Sequence, residues 1–101
     1  LPQTTGKLGV AQNPEEAANA YQLGLQAQEQ GNVEEAIKQF ELAAQMDSNV
    51  AAHHQSLATA YYGVGRYQDA LKSYDTYLKM EPNDQLQAWV NELRASLSAA
   101  A

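Results

Sequence analysis

Residues 23–49, LGLQAQEQGNVEEAIKQFELAAQMDSN, return 34 positions later as residues 57–83, LATAYYGVGRYQDALKSYDTYLKMEPN. Leu23 aligns with Leu57, Gly24 with Ala58, Gly31 with Gly65 and Ala36 with Ala70. Phe40 aligns with Tyr74, Met46 with Met80 and Asn49 with Asn83. Helix formers dominate both copies, and a glycine divides each into two periodic segments. A 34-residue period of this kind predicts two-helix units stacked side by side. One such unit cannot bury its apolar face alone, and the stack as a whole presents a surface rather than a reaction centre.

Outward from this stretch the helices follow in order. Asn13 is placed to cap a first helix, with Pro14 in its first turn and Glu15 and Glu16 at the positive end of its dipole. Its face carries Ala17, Ala20, Tyr21, Gly24, Leu25, Ala27 and Gln28, and Gly31 ends it. Asn32 caps a second helix, with Glu35 completing a capping-box-like pair. Val33, Ala36, Ile37, Phe40, Ala43, Ala44 and Met46 form its apolar stripe. Ser48-Asn49 breaks it. A third helix covers about 50–64 and ends at Gly65. A fourth, about 66–81, turns Tyr67, Ala70, Leu71, Tyr74, Tyr77, Leu78 and Met80 inward. Pro82-Asn83-Asp84 closes it and caps a last amphipathic helix with Leu86, Trp89, Val90, Leu93 and Leu97 on one face. Residues 1–12 lack any period, carry Pro2, Gly6 and Gly9, and read as a flexible linker. Leu1-Pro2-Gln3-Thr4 is superficially similar to the start of a sortase recognition pentapeptide, but Thr5 stands where glycine should follow.

Composition narrows the function classes. Lys+Arg 6 against Asp+Glu 12 gives a net charge of -6. Residues 1–50 hold seven acids and two bases, while residues 51–101 hold five and four. An acidic surface repels phosphate backbones and anionic lipid, so neither nucleic acid nor a membrane surface is the expected partner. A basic or neutral partner meets the first half more easily. The chain has no cysteine, which excludes disulfides and thiolate-bound metal. No apolar run is long enough to span a bilayer, and a soluble, cytoplasmic setting is favoured. The chain starts at Leu1, as a processed product or an excised fragment would.

These residues resemble the tetratricopeptide repeat family. The first repeat reads Leu23-Gly24, Gly31, Ala36, Phe40 and Ala43, with Ser48 where the family has proline. The second reads Leu57-Ala58, Tyr61, Gly65, Ala70, Tyr74 and Pro82. The resemblance implies an all-α, right-handed superhelical stack of antiparallel helix pairs over residues 13–101, with repeats at 17–50 and 51–84 and a capping helix at 85–98. Gly24, Ala58, Ala36 and Ala70 are then small because paired helices approach closely there. Ala20 and His54 stand where the family often has an aromatic. Tyr77 stands where it prefers alanine, and so bulky a side chain should push the next helix away. Asn91 and Glu92 fall where Leu57 and Ala58 fell, so the last helix is out of phase by about one residue.

The first helix of each unit lines the concave face in this family. That rule nominates Tyr21, Leu25 and Gln28, then Gln55, Thr59 and Tyr62, with Trp89 from the capping helix. Tyr21, Gln55 and Trp89 would line up across a groove, an aromatic-polar-aromatic row suited to a peptide held by stacking and hydrogen bonds. The family's best-known mode clamps a terminal carboxylate between cations. Tyr21, Leu25, Gln55, Ser56 and Thr59 supply none, so chaperone C-terminal tails are not the expected ligand.

Adjacent His53 and His54 point about 100° apart on a helix and do not converge on one metal ion. There is no Gly-rich phosphate loop and no cysteine nucleophile, and no base accompanies the serines. The expected function is non-catalytic: a protein–protein interaction module, without metal or cofactor, that holds a protein or peptide segment in the groove. Self-association into a structural homo-oligomer through the loosely matched last helix is the alternative.

Overall fold

A computed structural model describes residues 12–100. The linker expected over residues 1–12 thus falls almost wholly outside the described residues, as does the Leu1-Pro2-Gln3-Thr4 stretch. Five helices follow in order: α1 (Pro14–Glu29), α2 (Val33–Met46), α3 (Ala51–Gly63), α4 (Tyr67–Met80) and α5 (Asp84–Ala100), with no strand among the described residues. α1 packs most extensively on α2 and α3 on α4; α2 joins the two hairpins through α3, and α5 rests more lightly on α4.

Local chemistry sets the ends. Asn13 Oδ1 accepts the Glu16 N–H at 3.3 Å, Asn32 Oδ1 that of Glu35 at 3.4 Å, and Asn83 Oδ1 that of Leu86 at 2.9 Å. The capping box at Asn32 closes in one direction only. The Glu35 carboxylate takes the Gln39 amide instead, and the Asn32 N–H donates to the Ala27 carbonyl at 2.8 Å. Gly31 and Gly65 hold φ of 78° and 83°, the left-handed conformation that lets the next N–H reach back into the preceding helix. Arg66, one repeat after Asn32, supplies no side-chain cap.

Small side chains let the hairpins nest. Ala17, Ala36, Ala43, Ala58 and Ala70 are fully buried, as is Phe40 at 0% exposed. A methyl group on Gly24 would lie 2.5 Å from Phe40 Cε1, so the phenyl ring uses the space that glycine vacates.

One repeat pair differs in burial, and one expectation fails. Leu57 is 7% exposed, but its repeat mate Leu23 is 50% exposed. Leu57 lies in the core formed with α2, whereas no described element covers the corresponding side of α1. Tyr67 does not turn inward. It opens α4, where it is exposed and its ring rests on that of Tyr62, itself exposed, at 5.2 Å.

The phase slip of the last helix is present. His53, Leu57 and Ala60 are buried on α3 with Val64 packed beside them at its end, and the α5 residues packed inward are Leu86, Val90, Leu93 and Leu97. That is a step of 33 residues instead of 34. Val90 is the only fully buried α5 side chain, and Tyr77 sits partly buried at the edge of the core.

Candidate functional site

α1, α3 and α5 carry all the nominated groove residues, and the structure divides these residues into two clusters with a polar strip between them. In the first cluster, the Tyr21 ring lies 5.6 Å from Phe40 and 5.0 Å from His53, and its hydroxyl pairs with Ser56 Oγ at 3.0 Å. Tyr21 thereby ties α1 to both α2 and α3. Leu25, partly buried, packs against the same core, and Gln28 is exposed one turn further along.

The second cluster is aromatic. The Tyr62 ring meets Trp89 at 5.1 Å, and Trp89 meets Tyr74 edge-on at 5.5 Å. Tyr62 and Trp89 are 39% and 36% exposed, so each offers ring surface to solvent while its other side is braced. Gln55 and Thr59 lie exposed between the clusters. The Thr59 hydroxyl donates to the Gln55 carbonyl at 3.0 Å, which leaves the Gln55 amide unused among the side-chain bonds described.

Of the expected row, Tyr21 meets Ser56 and His53 on α3, and Trp89 meets Tyr62 and Tyr74. The slip of α5 places Trp89 in the slot that Ser56 fills on α3, so its indole leans onto Tyr62 and Tyr74. The sequence also misses the bracing roles of Tyr74 and Ser56, since nothing in a repeat alignment brings residues 62, 74 and 89 together.

His53, not only its half-buried neighbour His54, enters the packing. It is 5% exposed, and its Nδ1 has no hydrogen-bond partner. Burial pushes its pKa below the usual imidazole range; the Asp47 charge pulls it back up, and His54 lowers it further. His54 Nε2 instead bonds the Ser48 carbonyl at 2.9 Å. Among the described residues no three of His, Cys, Asp or Glu converge as a metal set would.

The contacts between successive hairpins are also unannounced by the sequence. The Tyr61 hydroxyl on α3 donates to the Glu41 carboxylate on α2. Arg94 on α5 forks onto Asp75 on α4 at 2.8 and 3.3 Å. Glu41 and Asp75 are 34 apart, and Tyr61 and Arg94 are 33 apart, so the same junction is built twice with different donors. Burial pushes the Tyr61 phenol well above its ordinary pKa, helped by the hydrogen bond to Glu41 and its charge.

Comparison with curated proteins yields no significant match. A family model described as Tetratricopeptide repeat matches residues 27–97, from the end of α1 through most of α5. Families of this kind generally mediate protein–protein interaction, and no helix among the described residues is long and apolar enough to cross a membrane. With the doubled helix pair, the glycine turns and the small residues at the close approaches, this match establishes that the chain belongs to the tetratricopeptide repeat family.

Proposed function

We propose that the chain is a non-catalytic module that binds a segment of another protein along the face of α1, α3 and α5. The observation that carries this reading is the braced but exposed Tyr62–Trp89 pair beside Gln55 and Thr59. Braced aromatic surface next to exposed amide and hydroxyl groups suits an extended or helical peptide, with ring contacts for affinity and polar groups for register. Gln28, Leu25 and the open edge of Tyr21 extend the face towards α1. The reading assigns the chain to no enzyme class and requires no cofactor.

Trp89 is the sole tryptophan, so its fluorescence reports directly on this face. Peptides selected from a displayed random library against the folded chain should shift that fluorescence. Tyr62→Ala and Gln55→Ala should each weaken them by about tenfold, the scale of a removed hot-spot contact. Unchanged affinity in both variants, with the melting curve intact, overturns the assignment.

Self-association through α5 is the second reading, favoured by the single fully buried side chain of that helix. Sedimentation at low and high concentration separates the two, because a strict monomer excludes the oligomer.

A further inference from the structure

The doubled junction between hairpins leaves a hollow in each copy. Between α4 and α5, a hollow of about 260 Å³ is lined by Asp75, Leu78, Lys79 and Gln87. Between α2 and α3, one of about 490 Å³ is lined by Glu41, Ala44, Gln45, His54, Leu57 and Tyr61. Glu41, Ala44 and Gln45 precede Asp75, Leu78 and Lys79 by 34 residues, and His54 precedes Gln87 by 33. The two hollows are therefore the same site, one repeat apart.

Their chemistry differs in one respect. The α4–α5 site carries its own cations: Asp75 holds the Arg94 guanidinium through both oxygens, and Lys79 lies on the rim. In the α2–α3 site both cations are replaced, Arg94 by Tyr61 and Lys79 by Gln45, while the acid remains as Glu41. Ala44 in place of Leu78 widens the hollow. Arg66 lies 4.6 Å over the Tyr61 ring and is bound to Asp69 at 2.9 and 3.0 Å, and no ion pair to Glu41 forms among the described residues, from Arg66 or from Lys38 one turn back on α2. Tyr61 engages one oxygen of Glu41, leaving the other without a described side-chain partner.

We propose that the α2–α3 hollow binds the guanidinium of an arginine side chain carried by a partner segment, in the way Asp75 binds Arg94 one repeat later. The partner's arginine forks onto Glu41, its methylene stem lies along Leu57 and Ala44, and its planar head faces His54. Lysine, a compact point charge, lacks the fork that this carboxylate geometry rewards. The surplus of seven acids over two bases in residues 1–50 draws a basic segment to this end of the molecule. The site is separate from the groove. On α3 the side chains of His54 and Tyr61 point roughly 120° away from those of Gln55, Thr59 and Tyr62, by helical geometry. It therefore holds whether or not the groove reading does.

The test titrates the whole chain with acetyl-Gly-Arg-Gly-amide at millimolar concentration, alongside the lysine and citrulline versions, and follows nuclear magnetic resonance shifts. The arginine peptide is expected to move Ala44, Gln45, His54 and Tyr61, the lysine peptide to bind more weakly, and the uncharged citrulline peptide to leave them still. Glu41→Gln, which keeps an acceptor for Tyr61, should weaken the arginine peptide by about tenfold or more. Ala44→Leu, which installs the side chain already accommodated one repeat later, should abolish binding without unfolding the chain. Equal binding of citrulline or lysine, shifts confined to other residues, or full affinity in Glu41→Gln or Ala44→Leu overturns the proposal. So does movement of the same resonances with protein concentration alone, which would make a second copy the occupant.

Discussion

Gly24 shows how far one missing methyl group shapes this protein. Its neighbour Phe40 is fully buried with ring atoms in the volume that a Cβ would need. Gly24→Ala gains about 1 kcal/mol of helix propensity and loses more to overpacking, about 1–3 kcal/mol, so the melting temperature should fall. Gly63 is the internal control, since a methyl group there meets nothing within 4 Å. Gly63→Ala should raise stability by about 0.5–1 kcal/mol in the same thermal melt. Phe40→Ala, which empties the slot, should cost about 3–5 kcal/mol in denaturant unfolding.

Residue-scale features were largely legible in the sequence. The caps Asn13, Asn32 and Asn83, the positive-φ Gly31 and Gly65, and the buried small residues were all readable from type and spacing. The burial of an individual apolar side chain was not, because it depends on what lies beside the helix. Leu23 and Leu57 look alike in a repeat alignment, yet they differ sharply in burial. His53 and His54 are adjacent and similar in chemistry, yet His53 is the buried one, with its ring beside Tyr21.

At the scale of elements, α5 is the weakest attachment. It buries Val90 alone completely and is fastened to α4 by an exposed Arg94–Asp75 pair. Native-state hydrogen exchange should therefore show α5 amides opening before those of α2 and α3. Arg94→Ala should speed exchange within α5 while lowering global stability by no more than about 1 kcal/mol, the usual range for an exposed ion pair. Removing residues 85–101 should uncover Leu78, Tyr62 and Tyr74, and light scattering should then rise at concentrations where the intact chain stays clear. The one-residue phase slip of this helix was readable from Asn91 and Glu92. Its consequence was not, since placing Trp89 against Tyr62 and Tyr74 requires knowing how α5 rotates on the stack. For the same reason the Glu41–Tyr61 and Asp75–Arg94 junctions escape an alignment built on one fixed period.

At the scale of the whole molecule, His53 and Tyr61 carry titrations that limit stability at opposite ends of the pH scale. The folded state holds His53 neutral below the pH, about 6.5, at which an unfolded chain protonates it, so stability falls as pH drops through that interval. The folded state also keeps the Tyr61 proton above the ordinary phenol value of about 10, so stability falls again as pH rises beyond it. Denaturant midpoints between these limits should be nearly flat, and His53→Gln should flatten the acid limb. Within that window the stack is a rigid support, and its function rests on the side chains it leaves uncovered.

The most direct test of that function is a resonance-by-resonance map of the folded chain bound to a library-selected peptide. Perturbations concentrated at Gln28, Gln55, Thr59, Tyr62 and Trp89 are the expected result. A map that leaves these residues unmoved and gathers instead on the solvent side of α2 and α4 would contradict the assignment of the α1, α3 and α5 face as the binding surface.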